Sequence, residues 1–224
     1  MKRMATLIIL LFMGVILMSM QNAKPVRVVF FGDSITELGV QPGGYIDRMR
    51  NTLREKNATN FQLIGAGISG NKVYDLYLRL EDDVLRQQPD WVFVYVGVND
   101  VWHKKTHGTG TDPDKFEKFY IALIRKMQAQ GIQVALCTPA VIGEKTAGKN
   151  ELDADLDKFA QIIRKLSAQY GLPLCDLRRI FLEHLAHVNK ENKEKGILTN
   201  DGVHLNEAGN QLVAEHMLKI ITQP

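Results

Sequence analysis

Little in this chain points to metal, redox or nucleic-acid chemistry. It carries only two cysteines, Cys137 and Cys175. Neither sits in a C-x-x-C pair, so a zinc ribbon or a redox dithiol has no framework to build on. No charge dominates: 28 Lys and Arg stand against 25 Asp and Glu, a formal +3. Two of those cations, Lys2 and Arg3, lie at the extreme N-terminus, and without them the balance is +1, with 26 basic against 25 acidic residues. Basic residues are interleaved with acidic ones along the expected helices, the pattern of a solvated surface rather than of a nucleic-acid face. Internal repeats, low-complexity tracts and linkers are missing as well. What remains is 224 residues with 45% hydrophobic content, enough to bury one full core.

The one long apolar run is N-terminal. Lys2 and Arg3 precede residues 5–20, and polar Gln21 and Asn22 follow. This is the layout of a signal peptide over 1–23, with an uncleaved N-terminal anchor as the alternative, and a folded unit over 24–224. The run falls short of the about 20 apolar residues of a spanning helix, so no stable membrane span is expected once it is removed. No cysteine follows it, which argues against a lipid anchor. The layout implies a secreted or periplasmic protein.

Beyond residue 25, five short apolar runs at 26–32, 61–65, 91–97, 132–138 and 172–177 read as parallel strands buried on both faces. Helical periodicity at 45–56, 72–86, 114–130 and 152–170 separates them, and a last helix over 206–221 has Asn206 as its N-cap. Strand and helix alternate throughout, which predicts an α/β fold: a three-layer α/β/α sandwich around a five-stranded parallel sheet in the flavodoxin-like order 2-1-3-4-5. If strands four and five are neighbours, Cys137 and Cys175 come close; an export compartment permits a disulfide, and two small buried apolar side chains are the other reading. The segments 98–112 and 139–150 read as long loops at the carboxyl ends of strands, where ligands of such sheets bind.

Polar residues with chemical potential collect at those same ends. "FFGDSIT" places Ser34 on the turn after the first strand, and "VGVND" places Asn99 after the third. In the 2-1-3-4-5 order those strands are neighbours, so the two residues face one crevice, with Gly70 of "GAGISG" beside them. Near the C-terminus "NDGVH" sets Asp201 three residues before His204, close enough for the carboxylate to hold the imidazole tautomer. "GAGISG" also has the G-x-G-x-x-G spacing of dinucleotide-binding loops. Such a loop belongs after the first strand, with an acid ending the next strand roughly 20 residues on. Here a strand already precedes it, and Glu81, Asp82 and Asp83 fall within a helical segment.

Four blocks in order, "GDSIT", "GISGN", "GVND" and "DGVH", resemble those of the SGNH hydrolases, the GDSL esterase/lipase family. The resemblance spans the chain from Val26 to the last helix. It implies a carboxylic ester hydrolase with Ser34 as nucleophile, His204 as general base and then acid, and Asp201 orienting His204. It also implies an oxyanion hole made by the backbone N–H groups of Ser34 and Gly70 and the side-chain amide of Asn99. Asp33 and Asp100 belong to the same blocks and read as supporting residues that brace their loops through backbone N–H groups. Gly65 and Gly67 read as serving a tight turn.

The implied substrate is a small-molecule or carbohydrate ester, with acetyl foremost because no cap domain or apolar lid is inserted. No metal, cofactor or nucleic acid is called for. The alternatives are a lysophospholipase, thioesterase or arylesterase of the same family and, in another class, a non-catalytic carbohydrate- or nucleotide-binding module. His103 with His107, and His184 with His187, have spacings that could grip a metal, but loop context for the first pair and an exposed helix for the second favour solvated side chains or substrate contact. Tyr74, Tyr77 and Leu78 read as core or pocket lining.

Overall fold

The computed structural model describes residues 24–146 and 148–222. The expected signal peptide or anchor, 1–23, lies outside them. The chain runs β1 (Val26–Gly32), α1 (Ser34–Gly39), α2 (Tyr45–Glu55), β2 (Phe61–Gly67), α3 (Val73–Asp83), a 3-10 turn (Leu85–Gln87), β3 (Trp91–Tyr95), α4 (Val98–Thr106), α5 (Pro113–Gln128), β4 (Gln133–Cys137), α6 (Asp153–Tyr170), β5 (Leu174–Cys175), α7 (Leu177–Val188) and α8 (Glu207–Thr222). The sheet is parallel in the order β2-β1-β3-β4-β5, as the alternation of strand and helix predicts.

Successive side chains of a strand point to opposite faces, and here both faces are buried. Val28 and Phe30 of β1 enter one core with α2, α7 and α8, where Phe30 stacks on Phe93 at 5.1 Å. Val29 and Phe31 enter a second core with α3, α5 and α6. Each fully buried Phe or Val contributes about 1.5–3 kcal/mol, so a one-residue slip would exchange two well-filled cores for two misfits. The register thus fixed aligns the strand ends: Gly32, Gly67, Tyr95, Cys137 and Cys175 form one row across all five strands. Every loop that follows this row starts from the same edge.

Four expectations are corrected. Gly65 and Gly67 lie inside β2, not in a turn; a Cβ on Gly67 would run into the backbone of Thr36 and Glu37, and one on Gly65 into Val40, so they let α1 lie against the strand. Residues 98–106 are helical, because Gly97 at φ +136° turns the chain sharply and His103, Lys104 and Lys105 in the last turn suit the helix dipole. Strand five is only Leu174–Cys175: Asp176 ends it by accepting from the N–H of Arg179 as the N-cap of α7. Leu78 is 77% exposed and lies outside both buried cores, whereas Tyr77 packs on Phe119 at 5.5 Å. Cys137 and Cys175 are register partners on β4 and β5, buried and present as free thiols, and burial pushes the Cys137 thiol well above its usual value. Asn206 does cap α8, its Oδ1 accepting from the N–H of Gly209 at 3.0 Å. Among the described residues no helix is long and apolar enough to cross a membrane.

Candidate active site

Ser34 is the first residue of α1, two positions beyond the row of strand ends. The turn is tight because a Cβ on Gly32 would strike Thr36 and the Tyr95 carbonyl, and because Asp33 caps the helix, its Oδ1 accepting from the N–H of Ile35 at 3.0 Å. Ser34 Oγ lies 2.9 Å from His204 Nε2. His204 Nδ1 lies 2.7 Å from Asp201 Oδ2, while Asp201 Oδ1 accepts from the N–H groups of Val203 and His204 at 2.9 and 2.8 Å. Partial burial pulls the Asp201 carboxyl upward, but these hydrogen bonds outweigh it and hold the group below its ordinary value. It therefore stays ionised beside the imidazole.

Gly70 and Asn99 stand beside the serine. Gly70 has φ +77°, a conformation glycine adopts freely, whereas a Cβ there would meet nothing closer than His103 Cε1 at 3.7 Å. The backbone conformation, rather than crowding, calls for glycine. Asn99, 3% exposed in the first turn of α4, donates from Nδ2 to the Asn71 carbonyl at 3.1 Å and so faces the Gly70 loop. Among the described residues no acceptor takes the N–H of Ser34 or of Gly70. All seven residues singled out in the sequence lie at this edge.

Asp33 and Asp100 are fully buried. Asp100 receives the N–H of Val73 at 3.2 and 3.3 Å and so ties α4 to the start of α3. Burial is the main reason that both carboxyls are pushed up to about 7. His103 lies in α4 and His107 caps its C-terminus, with rings 4.5 Å apart, and burial, Lys72 and His107 lower His103.

Two bracing residues have no signature in the sequence. Arg79 of α3 donates to the carbonyls of Gly32 and Ala66 and to Asn71 Oδ1 at 2.7–3.1 Å, with its guanidinium 4.5 Å from the Phe31 ring, so it reaches the loops of both Ser34 and Gly70. Arg178, 1% exposed, pairs with Asp153 at 2.8 Å and holds the Ala140 carbonyl at the root of the loop after β4. A lone arginine on an amphipathic helix carries no signal of this kind in sequence. Next to the Asp201 loop a cavity of about 530 Å³ opens, with Trp102, Ile142 and Leu152 as apolar lining and Lys149 and Lys195 among its polar residues.

A doubly covered parallel sheet with a serine, histidine and aspartate meeting at its carboxyl edge defines a class, the SGNH-type hydrolases. Within it the chain belongs to the GDSL-like Lipase/Acylhydrolase family, whose profile matches residues 30–212. The chain is similar to the acetylxylan esterase of Geobacillus stearothermophilus, with 26% identity over 214 residues covering 87% of this chain and 93% of that one. It is also similar to an acetyl xylan esterase of known crystal structure, AlAXEase, with 57% identity and a TM-score of 0.87, covering 88% of this chain and all of that one (100%). An α/β hydrolase, LAE5, from the metagenome of Lake Arreo, Spain, matches with 26% identity and a TM-score of 0.77 over 88% of this chain and 94% of its own. The protein is thus a carboxylic ester hydrolase.

Proposed function

We propose that this protein is an exported serine esterase that removes acetyl groups from carbohydrate esters. The observation that carries this is the unbroken string from Asp201 through His204 to Ser34, with links of 2.7 and 2.9 Å. Ser34 Oγ attacks the ester carbonyl and passes its proton to His204 Nε2, and Asp201 stabilises the imidazolium. The carbonyl oxygen, now negative, receives hydrogen bonds from the N–H of Ser34, the N–H of Gly70 and the amide of Asn99. His204 returns the proton to the departing sugar hydroxyl, leaving an acetyl-enzyme. Water, deprotonated by His204, then attacks that acyl carbon, and the acyl C–Oγ bond breaks as His204 returns the proton to Ser34 Oγ and acetate is released.

Acetyl specificity and a carbohydrate substrate are supported by the two similar acetyl xylan esterases and by Ser34 being only partly buried. The adjoining cavity, with an indole wall and polar rim, suits a sugar ring carrying the ester. Export is supported by the basic-then-apolar start of the chain.

The test is hydrolysis of p-nitrophenyl acetate and butyrate by the mature protein beside a folded Ser34→Ala variant, followed by acetate release from acetylated xylo-oligosaccharides. The reading requires acetyl to exceed butyryl and the variant to fall to background. Equal rates in parent and variant refute the serine mechanism.

A further inference from the structure

We propose that Glu144, on the loop after β4, is a positioning residue that sets the place of Asp201 and His204 through the backbone. This rests on the catalytic reading above, in which those two residues serve Ser34.

Glu144 is fully buried at 0% exposure, and no cationic side chain pairs with its carboxylate among the described residues. Its partners are instead four donors from one short stretch. Oε2 accepts from the N–H of Ile197 at 2.8 Å; Oε1 accepts from the N–H of Leu198 at 2.8 Å, the N–H of Thr199 at 2.5 Å and the hydroxyl of Thr199 at 2.6 Å. Three successive amides converging on one carboxylate form a backbone nest, in which a negative charge is held without a counter-ion. A buried charge so satisfied is costly to disturb, and it specifies one backbone path for the stretch that supplies the donors.

That path leads straight to the triad. The Thr199 hydroxyl, while donating to Glu144, accepts from the N–H of Gly202 at 3.0 Å. The Gly202 carbonyl accepts from the N–H of Gly143 at 2.8 Å, next to Glu144, so the two loops are joined on both sides of the carboxylate. Asn200 donates its N–H to the His204 carbonyl at 2.8 Å, and Thr199 bridges Leu205. Asp201 and His204 therefore sit on a small closed loop whose base is clamped by Glu144. The clamp's own loop is rooted by Arg178 at Ala140 and by Asn189, whose Nδ2 donates to the Glu144 carbonyl at 2.8 Å.

Glu144→Gln keeps the shape but turns an NH₂ toward amide donors, so the base of the loop must shift. A displacement of about 1 Å at reacting groups can cost about 10²-fold in turnover. The variant is expected to lose 10- to 100-fold in kcat on p-nitrophenyl acetate with KM changed less than threefold, as judged against that sensitivity of about 10²-fold. The rate of Ser34 phosphonylation by a small fluorophosphonate should fall in parallel, because it reads the same His204 assistance. Ile163→Ala, in the opposite core, supplies a comparable loss of thermal stability and should keep parent kcat per active site.

Active-site titration separates fewer working molecules from slower ones. A folded Glu144→Gln with parent kcat per titrated site overturns the proposal. If that variant does not fold, Thr199→Val is measured in the same way: slower turnover per site supports the clamp, and parent turnover, or failure of both variants to fold, reduces Glu144 to a purely structural residue and overturns it. Failure of the catalytic reading has a different signature, namely no Ser34-dependent hydrolysis in the parent.

Discussion

Asp33 shows how much one buried side chain can carry. It caps α1 directly before Ser34, yet its carboxyl is pushed up from 3.8 to about 7, burial being the largest cause. The folded chain therefore binds this proton more tightly than the unfolded chain. The sign follows: the group's contribution is most favourable below 3.8 and declines as pH rises toward about 7. Asp33→Asn keeps an oxygen for the Ile35 N–H and carries no charge. It should exceed the parent in stability at pH 8 by up to about 4 kcal/mol, an advantage that shrinks on acidification toward pH 4; equal urea midpoints for parent and variant at both pH values would sink this. Asp201→Asn acts on chemistry instead. Its amide would face His204 Nδ1 and favour the wrong tautomer, so kcat should fall by about 10³–10⁴ with folding intact, checked by esterase kinetics beside far-UV circular dichroism. Both residues were legible in the sequence, since "GDS" and "DGVH" set them beside their partners along the chain. Glu144 was not, because its four donors lie more than 50 residues away and "VIGEK" resembles any surface loop.

Elements meet here through two kinds of glycine. At Gly67 the demand is space, as α1 lies directly on β2 and a Cβ would enter the backbone at Glu37. Gly67→Ala should destabilise the fold by about 1–3 kcal/mol or prevent it, read from denaturant midpoints. At Gly70 the demand is φ, and there is room for a methyl group. Gly70→Ala should cost about 1–2 kcal/mol of stability while, on the proposed mechanism, lowering kcat by a larger factor, about 10²–10³, since that mechanism uses its N–H in the oxyanion hole. A variant that loses stability but no turnover would remove Gly70 from the oxyanion hole. Strands were the most readable elements, because burial on both faces writes them as apolar runs. The helix at 98–106 was hidden by "GVND", whose Gly and Asn-Asp suggest a turn; its formation depends on the bend at Gly97 and on burial of Val98 and Val101. Strand five was overestimated because "LPLCDL" looks like strand throughout, while Asp176 is engaged by Arg164, Thr138 and the start of α7.

For the whole molecule, the row of strand ends is the organising feature, since it brings the segments of residues 34, 70 and 99 to one edge, where the 201–204 loop, tied to the loop after β4, meets them. The cavity beside Asp201 extends that edge, and Trp102 forms part of its wall. Trp102→Ala should raise KM for an acetylated xylo-oligosaccharide at least several-fold while leaving p-nitrophenyl acetate nearly unchanged, because stacking on an aromatic face serves the sugar and not the acetyl group. A uniform effect on both substrates would mean that no sugar rests there. The sequence by itself determined the alternation of elements and the candidate site residues, since these follow from apolar periodicity and from short motifs whose members are neighbours along the chain, while the strand order is the common one for such sheets. Only the tertiary structure decided which distant groups hold those motifs in place. Arg79 at the Ser34 and Gly70 loops, Arg178 at the root of the loop after β4, and Glu144 against residues 197–199 act through contacts closed by folding, and a buried charge owes its role to the donors that surround it rather than to its neighbours in the chain.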